Sequence, residues 1–585
     1  MKPVVNKSIS KIFCDMAAIY KFMGPEERFR SGAYNKASKI IGSLPEDVSV
    51  YLKNNSLHEL PGIGESMAEK ILEYVKTGKI KMFEQLKKTV PLELIGMMEI
   101  KGFGPQSLHQ IHEQLKIHTK TSLIQALQNG SISKLKGFGK KKAENMLRGV
   151  KLHKTIEDRM LLWDALEAGE NLVDWLKKIP EVKRVELAGS LRRGKETIGD
   201  IDILVSGNEN DRNKIIAHFT SSEISKQILA KGDTKASIIM KKSGKQADLR
   251  IVNENEWGAA LQYFTGSKEH NIHLRTIAKE KGYKISEYGI FSSKKDKKIA
   301  GKTEEEIYNT LGFQWMPPEM REDIGEIELA SQNKIPKLVS LQDIKGDMHM
   351  HSVWSDGLNT IDEIANHIQK YFSYQYIVIT DHSKSSRIAK GMNEKQILKQ
   401  IKAIAEVNKK LEINFVKTGV EVDILTNGKL DFSDEILSQL DWVTASIHSN
   451  FNHDNTDRII LACENPYVNC ISHPTGRLIG SREPYKVNME QIIETAKHTN
   501  TALEINSQPN RMDLNDVHAT LARIKGVKIV INTDSHYLDN LNFMKLGLLI
   551  ARRAWCTSGN ILNTKPWVEI ERFKKSKLEL SAVLM

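Results

Sequence analysis

The chain has 585 residues, a formal net charge of +12 and a hydrophobic fraction of 40%. This length predicts roughly two to four domains, and the positive charge favours a polyanionic partner such as nucleic acid or an acidic membrane, although a merely basic soluble protein carries the same excess. The four scattered cysteines form no C-x-x-C pair, which argues against a disulfide framework and against a thiolate zinc site. Because no apolar run is long enough for a membrane span or a secretory signal, we expect a cytoplasmic protein.

Three glycine turns recur before residue 150, at 60–64, 100–104 and 135–139. Each places an apolar residue before a Gly-x-Gly turn and a helical pattern after it, as at 66–74 and 141–148. The turn glycines are Gly62, Gly64, Gly102, Gly104, Gly137 and Gly139. A helix that follows such a turn offers free backbone amides to a phosphate. One turn would be only a loop, but three turns predict binding to a nucleic acid backbone, and the last is surrounded by Lys134, Lys136, Lys140, Lys141 and Lys142.

From about residue 151 to 316 strands alternate with helices, and the predicted strands are 186–188, 200–206, 236–241 and 247–252. Asp200 and Asp202 lie two apart in an apolar run, so both carboxylates point to one face of the strand. Buried carboxylates need a compensating charge, and Mg²⁺ prefers oxygen ligands. We therefore favour a metal site over the alternative, an Asp pair that caps a turn, and Asp248 in the strand 247–252 is a candidate third ligand.

The segment 189–194 precedes these aspartates by a few residues. Gly189 and Ser190 can present backbone amides and a hydroxyl to a phosphate, and Arg192 and Arg193 add positive charge beside them. The combination of this segment with paired aspartates predicts a metal-assisted reaction on a phosphorylated substrate.

A break at 314–318 and a charged segment with a helical stretch separate this region from a new domain that begins at about residue 340. There, histidines and acids follow or end successive apolar strands at 376–380, 415–420, 443–447, 470–472 and 528–532. They are His349, His351, Asp356, His382, Glu421, His448, His473, Asp534 and His536. Polar residues at the carboxyl ends of alternating strands and helices are typical of a β/α barrel active site. Imidazole and carboxylate ligands suit Zn²⁺, Mn²⁺ or Fe²⁺, and two or three such ions would hydrolyse a phosphoester.

These residues carry a family resemblance that covers nearly the whole chain. The segments 189–194 and 200–202, the turn 263–267, and Asn271 with Arg275 resemble the family X, or polymerase beta-like, DNA polymerases. The segments 349–357, 380–383, 473–477 and 532–536 resemble the PHP (polymerase and histidinol phosphatase) domain. The resemblance implies a multidomain α/β protein with a helical helix-hairpin-helix region, a nucleotidyltransferase palm with a mixed sheet, and a distorted TIM-like PHP barrel.

The resemblance also implies domain boundaries. These are a helical 8-kDa-like domain at 1–85, a second DNA-binding helix-hairpin-helix region at 86–150, a palm at 151–255, a nucleotide-selecting subdomain at 256–318, a linker at 319–337 and the PHP phosphoesterase at 338–585.

In the polymerase part, the resemblance implies that Asp200, Asp202 and Asp248 hold two Mg²⁺ or Mn²⁺ ions, with Asp248 nearest the primer 3′-hydroxyl. It assigns the β- and γ-phosphates to Ser190 and Arg193, next to Gly189. Tyr263, Phe264 and Gly266 would pack on the deoxyribose, Asn271 would contact the base and Arg275 the template strand. The alternative for Tyr263 and Phe264 is a buried aromatic pair.

In the barrel part, the complete set of nine metal positions implies an active 3′–5′ exonuclease with two to three Mn²⁺, Zn²⁺ or Fe²⁺ ions, acting also at abasic sites or 3′-phosphates. Arg477 is either a phosphate ligand or a surface residue. Lys70 aligns with the Schiff-base lysine of polymerase beta-like lyases, but Ser66 and Met82 replace phosphate-binding lysines. That replacement argues against lyase activity and leaves Lys70 as a DNA phosphate contact.

The expected function is therefore DNA-directed gap filling in base excision repair by a monomer that binds dNTPs and gapped or primer-template DNA, in the cytoplasm and at the nucleoid when bound to DNA. The alternative is a template-independent nucleotidyltransferase fused to a histidinol-phosphatase-like enzyme for small molecules. A third hypothesis, a DNA-binding scaffold with inactive centres, conflicts with the intact acid and histidine sets.

Overall fold

The computed structural model describes residues 4–43, 48–53, 57, 63–99, 103–140, 142–144, 146, 147, 150 and 159–584. Two units pack internally: one contains the amino-terminal residues to 155, and the other contains nearly all later residues. Among the described residues, no helix combines the length and the apolar character that a membrane crossing requires.

The first unit is helical in its described part. Amphipathic helices bury one face each, and their apolar faces form two clusters, one around Phe13, Tyr20 and Ile71 and one around Phe103 and Ile111. The helices are Val4–Met23, Arg28–Ser43, Val48–Lys53, Glu65–Thr77, Lys81–Thr89, Leu92–Ile95, Pro105–Leu115 and Lys120–Gln128. Further helical residues lie between 140 and 150. The helix predicted at 66–74 is thus present, with one residue more before it and three after it.

The second unit begins with a five-stranded mixed sheet in the order β2-β4-β7-β6-β5. The strands in this part are β1 (Met160–Leu161), β2 (Arg184–Leu187), β3 (Thr197–Ile198), β4 (Asp200–Ser206), β5 (Ser225–Lys231), β6 (Lys235–Met240) and β7 (Gln246–Val252). The helices are Leu162–Leu176, Gly189–Arg192 and Arg212–Phe219. Since β4 and β7 are parallel neighbours, with Asp202 opposite Asp248, the acidic residues of both strands lie at one place on the sheet.

A smaller subdomain follows. It contains the helices Trp257–Thr265, Lys268–Glu280, Glu304–Thr310 and Glu326–Ser331 and the antiparallel strands β8 (Tyr283–Ser286), β9 (Gly289–Ser292) and β10 (Lys298–Ala300). Its core includes Leu274 and Tyr308 together with Ile327 and Ala330. The charged segment 319–337 therefore contributes apolar side chains to this core.

The rest of the second unit is a parallel sheet of seven strands in sequential order, β11 to β17. The strands are β11 (Gly346–Asp347), β12 (Tyr376–Ile379), β13 (Val416–Asp423), β14 (Trp442–Ser446), β15 (Cys470–Ile471), β16 (Ala502–Asn506) and β17 (Ile529–Asn532). The helices are Ile361–Tyr371, Glu394–Leu411, Asp434–Leu437, Thr456–Glu464, Met489–His498, Asp516–Lys525, Met544–Arg553 and Trp567–Leu584. A parallel bridge between Met350 and Ser535 joins the two ends of the sheet, so the strands form a nearly closed barrel.

The barrel places its polar residues as parallel β/α topology requires. Each strand is buried on both faces, as the Val- and Ile-rich sequences of β12 and β17 indicate. All strands run in one direction, so their carboxyl ends meet at one rim. His349 and His351 lie just beyond β11, whereas Glu421, which the sequence analysis places after a strand, lies within β13.

Two candidate metal centres

The first centre is a cluster of three carboxylates on the mixed sheet. Single oxygen atoms of Asp200, Asp202 and Asp248 lie within 4.8 Å of one another. Burial, followed by repulsion from the other two carboxylates, raises the pKa of Asp202 to about 7. Burial and Asp248 also raise the pKa of Asp200. Carboxylates that repel each other at such short range form a donor set that fits hard divalent cations.

A cavity of about 360 Å³ opens beside this cluster. Gly189 has a φ of +60°, and a Cβ there would lie 1.9 Å from Asp202 Oδ2, so only glycine fits between the helix Gly189–Arg192 and strand β4. The predicted residues that line the cavity are Gly189, Ser190, Arg193, Asp200, Asp202, Tyr263, Phe264, Gly266, Asn271 and Arg275. Lys268, which the sequence analysis did not single out, lines it too.

Hydrogen bonds fix several side chains around this cavity. Asn271 donates from Nδ2 to the Tyr263 carbonyl at 2.7 Å, and its Oδ1 accepts from Gln262 at 2.7 Å. The rings of Tyr263 and Phe264 meet edge to face with centroids 5.2 Å apart. Both aromatic residues are only partly buried, unlike a closed core pair, and they present surface to the cavity.

Arg192 lies elsewhere than the sequence suggests. Its guanidinium donates to both oxygens of Glu304, at 2.8 and 2.9 Å, and to Thr265 Oγ1 at 2.6 Å. Arg321 contacts the same carboxylate at 2.6 Å. Burial alone would raise the pKa of Glu304, but the two guanidiniums hold it far below its usual range. Arg192 therefore joins the mixed-sheet region to the smaller subdomain that follows it, while Arg193 remains at the cavity.

Some of the predicted phosphate contacts of the first unit lie among the described residues. Gly64 and Gly104 immediately precede the helices Glu65–Thr77 and Pro105–Leu115, and open space surrounds each glycine where a Cβ would lie. Gly62, Gly102 and Lys141 lie outside the described residues. Gly137 has a φ of +84°.

Two lysines of the first unit have defined neighbours. The Lys142 ammonium lies 3.9 Å from the centroid of the Phe138 ring and donates to the Gly137 carbonyl at 3.2 Å. Lys70 is half-buried and donates to Ser66 Oγ at 2.7 Å.

The second centre lies at the carboxyl rim of the barrel and is built around Glu421. Oε2 of Glu421 lies 2.9 Å from His382 Nδ1 and 3.5 and 3.6 Å from the Nε2 atoms of His349 and His351. Oε1 lies 3.0 Å from His473 Nε2 and 3.4 Å from His448 Nε2. Five imidazoles thus surround one carboxylate.

The remaining predicted ligands lie around the same centre. Asp534 Oδ1 is 3.1 Å from His351 Nε2, and Asp356 Oδ2 is 3.4 Å from His536 Nε2. All nine residues that the sequence analysis singled out are therefore brought together. Three sets of donor atoms lie within 4.8 Å: His351 with Asp356, His382 and His536; His349 with His351 and Glu421; and His382 with Glu421 and His448.

The donor atoms of this centre fit bound metal ions. His349 Nε2, His351 Nδ1, His382 Nδ1 and His473 Nδ1 are buried without a hydrogen-bond partner, and a buried polar atom without a partner is costly. Burial, followed by the charges of His536 and His382, lowers the pKa of His351 to about 3. The nearby His382, His448 and His349 hold the pKa of Glu421 well below its usual range against the effect of burial. A bound cation would displace the protons of these imidazoles, and deprotonated imidazoles beside an ionised carboxylate are suitable ligands for Mn²⁺, Zn²⁺ or Fe²⁺.

Three further residues of this centre were missed by the sequence analysis. Glu504 Oε1 lies 2.7 Å from His349 Nδ1, and Asp423 Oδ1 lies 2.5 Å from His448 Nδ1, so both carboxylates orient ligand rings. Glu504 is an acid within an apolar strand, the pattern that singled out Asp248, and Asp423 lies two residues after Glu421. Arg511 lines the cavity of about 390 Å³ above the ligands, and no sequence pattern marks it.

Arg477 does not line that cavity. Its guanidinium donates to Glu196 Oε2 at 2.6 Å and to the Arg511 carbonyl at 2.9 Å. Arg477 thus joins the barrel to the palm. It also orients the backbone of Arg511, whose side chain reaches the cavity.

Comparisons with known proteins identify the class of the parts before the barrel. The model "DNA polymerase beta palm" matches residues 164–251, and "DNA polymerase beta thumb" matches residues 260–322. "Helix-hairpin-helix domain" matches residues 5–80, and "SAM-like Helix-hairpin-helix tandem" matches residues 55–117. The carboxylate cluster thus lies in a nucleotidyltransferase of the polymerase beta type, in a chain that also contains helix-hairpin-helix domains and the barrel.

Relatives extend this assignment along the chain. The protein called DNA polymerase/3′-5′ exonuclease PolX of Bacillus subtilis is 36% identical over 562 residues, which cover 95% of this chain and 97% of that protein. DNA polymerase lambda of Arabidopsis thaliana is 26% identical over 54% of this chain and 62% of its own length, and that of Rattus norvegicus is 26% identical over 52% and 54%. The chain belongs to the PolX group of family X DNA polymerases.

Proposed function

We propose that this protein fills gaps in DNA during base excision repair and removes 3′-terminal nucleotides at its second centre. The observation that carries the proposal is the presence of two complete metal-binding donor sets in one chain, one carboxylate-only and one rich in histidine. The domain boundaries given by the sequence analysis belong to this proposal, as do action as a monomer and a location in the cytoplasm or, when bound to DNA, at the nucleoid.

At the first centre, Asp200, Asp202 and Asp248 would hold two Mg²⁺ or Mn²⁺ ions, with Asp248 next to the primer 3′-hydroxyl. Such ions, when bound, lower the pKa of that hydroxyl and neutralise the leaving pyrophosphate. The protein's own contribution is to hold the triphosphate in line. Ser190 would donate to it, and Arg193 would contact it through a planar guanidinium.

Selection of the nucleotide depends on the other side of this cavity. The ring edges of Tyr263 and Phe264, with Gly266, would lie against the deoxyribose and leave no room for a 2′-hydroxyl. The amide of Asn271, oriented by Gln262 and the Tyr263 carbonyl, would contact the base. Arg275 would contact the templating strand.

At the second centre, the nine ligands His349, His351, Asp356, His382, Glu421, His448, His473, Asp534 and His536 would hold two or three Mn²⁺, Zn²⁺ or Fe²⁺ ions. Such ions supply a hydroxide near neutral pH and withdraw charge from the scissile phosphate. Arg511, whose Nε lies 3.7 Å from Asp534 Oδ2, would bind that phosphate. Abasic-site and 3′-phosphate removal are further reactions for the same centre.

The helix-hairpin-helix turns would bind the DNA backbone independently of sequence. The helices that begin after Gly64 and Gly104 would offer the free backbone amides of their first turn to a phosphate, apart from Pro105, which has no N–H. We propose a backbone contact for Lys70 too, because its Nζ donates to Ser66 Oγ and because Ser66 and Met82 stand where polymerase beta-like lyases have the phosphate-binding lysines that help to activate a nucleophilic lysine.

Gap filling and degradation are tested together on a gapped primer-template with Mn²⁺, with and without dNTPs. We expect Asp200→Ala to abolish extension and to leave 3′ degradation intact, because it removes a ligand of the first centre. His349→Ala should abolish degradation and leave extension intact. The exposed Asp233 and His498 provide matched controls, since their alanine variants remove the same side chains at positions that belong to neither donor set and line neither cavity.

Two outcomes would contradict this proposal. If either Asp200→Ala or His349→Ala removes both activities from a folded protein, the two centres are not independent. If extension does not depend on the template, the alternative of a template-independent nucleotidyltransferase replaces gap filling.

A further inference from the structure

The phosphate-binding turn of the palm packs directly against a helix of the barrel. Gly194, with a φ of +65°, lies between Arg193 and Lys195, and a Cβ on it would lie 3.2 Å from Leu549 Cβ. Leu549 belongs to the helix Met544–Arg553 of the barrel. The turn that carries Arg193 is therefore in van der Waals contact with the second catalytic domain.

Arg553, the last residue of that barrel helix, contacts a backbone carbonyl of the palm and a carboxylate of the segment that follows the palm. Its Nη1 donates to the Arg193 carbonyl at 2.9 Å and to Glu322 Oε1 at 2.8 Å. Its Nε donates to Asp516 Oδ2 of the barrel at 2.9 Å. The side chain is 7% exposed, so these contacts are shielded from water and stronger than surface ion pairs.

Glu322 is shared between the two arginines. Its Oε1 accepts from Arg193 Nε at 3.1 Å and lies 3.1 Å from Lys195 Nζ. Burial alone would raise the pKa of Glu322, but Arg553 and Arg193 lower it, so the carboxylate stays charged. The Nη1 atom of Arg193 also donates to the Thr265 carbonyl at 2.5 Å. The orientation of Arg193 thus depends in part on the Glu322 carboxylate, which Arg553 of the barrel helps to hold in place.

We propose that Arg553 is a positioning residue for nucleotide addition. Through Arg553, the barrel domain sets the orientation of Arg193 and keeps the Arg193 guanidinium available to the triphosphate. The inference rests on the proposed role of Arg193 as a triphosphate ligand. Arg553 holds the Arg193 backbone in place and takes up part of the negative charge of Glu322. Without Arg553, Glu322 pairs fully with Arg193 and competes with the triphosphate for its guanidinium.

The test measures single-turnover gap filling by the full chain, which separates the apparent dNTP dissociation constant from the maximal rate. We expect Arg553→Ala to raise that dissociation constant about tenfold, the loss of one charge-assisted hydrogen bond. The maximal rate and the 3′–5′ exonuclease rate should stay within about twofold of wild type. Arg552→Ala is the matched control, because the adjacent Arg552 contacts Glu319 at 2.7 Å and the Val339 carbonyl at 3.0 Å but not Arg193.

A second substitution distinguishes charge competition from general loosening. Adding Glu322→Gln to Arg553→Ala removes the competing charge, so we expect part of the dNTP affinity to return. General loosening would give a further loss instead. If Arg553→Ala does not fold, as judged by loss of exonuclease activity, Arg553→Lys serves the same test. Its single ammonium keeps the charge but cannot reach all three partners, so a rise of about threefold is expected.

Three results would overturn the proposal. They are an unchanged dNTP dissociation constant in Arg553→Ala, an equal rise in Arg552→Ala, and a further loss when Glu322→Gln is added. Arg193→Ala separates this proposal from the assignment beneath it. If Arg193→Ala leaves dNTP affinity unchanged, the triphosphate role itself is wrong. If it weakens affinity while Arg553→Ala does not, only the positioning role is wrong.

Discussion

Replacing Gly189 with alanine is expected to disable nucleotide addition through a single methyl group. The Cβ would lie 1.9 Å from Asp202 Oδ2 and 2.9 Å from its Cγ, well inside van der Waals contact. The Asp202 carboxylate must therefore retreat by about 1 Å, because the glycine belongs to a backbone turn that cannot move freely. The φ of +60° adds a cost of about 1 kcal/mol for any residue with a Cβ.

The size of the effect follows from the role proposed for Asp202. A misplacement of about 1 Å in a catalytic group costs on the order of 100-fold in rate. We therefore expect Gly189→Ala to lower the single-turnover rate of gap filling by about 100-fold or more. The 3′–5′ exonuclease rate should be unchanged, because the nine barrel ligands do not contact this turn. Both rates are measured on the same labelled gapped substrate.

Gly244 provides the matched control for this substitution. It lies in the turn between β6 and β7 of the same sheet with a φ of +69°, and nothing lies within 4 Å of the position of its Cβ. Gly244→Ala imposes the same backbone strain without the clash, so gap filling should stay close to wild type. Equal losses in both variants would assign the effect to strain, and normal gap filling in Gly189→Ala would refute the geometry of the carboxylate cluster.

Three further substitutions have defined outcomes. Glu304→Gln should lower the free energy of unfolding by about 3 kcal/mol, because it leaves buried Arg321 without its anionic partner. The folded-state pKa of Glu304 is depressed, so this contribution is present at neutral pH and is lost as pH falls below about 4, as urea unfolding at several pH values would measure. Arg511→Ala should weaken exonuclease binding of DNA 3′ ends about tenfold in steady-state kinetics and spare gap filling. Lys140→Ala should lower the affinity for DNA of every sequence. In binding titrations at several salt concentrations, the slope of log affinity against log salt concentration should fall in magnitude by about one.

Much of the first centre is readable from local pattern. The spacing of Asp200 and Asp202 in an apolar run predicts a strand with both carboxylates on one face, and the observed strand β4 begins and ends where the sequence predicts. Asp248 is also predicted to lie on a strand. Its closeness to Asp202 arises from the parallel pairing of β4 with β7, which no local pattern specifies.

The arginines illustrate the limit of this reasoning. Arg192 and Arg193 are adjacent and chemically identical, so the local pattern predicts only that both add positive charge beside the phosphate segment, and the family resemblance alone singles out Arg193. The structure separates them, since Arg192 contacts Glu304, more than 100 residues later, and Arg193 lines the cavity. Neighbouring residues of a helical turn point in different directions, and which one meets a distant carboxylate depends on how the domains pack.

The barrel shows the same division. The sequence by itself determined the alternation of strands and helices and the nine candidate ligands, because strand periodicity and polar residues at strand ends are local properties. Tertiary structure decided that Glu421 lies at the centre of five imidazoles, that Glu504 and Asp423 orient two of them, and that Arg553 reaches the phosphate-binding turn of the palm. These contacts join residues far apart in the chain, and they form because packing and burial bring those segments together, which is a property of the whole fold.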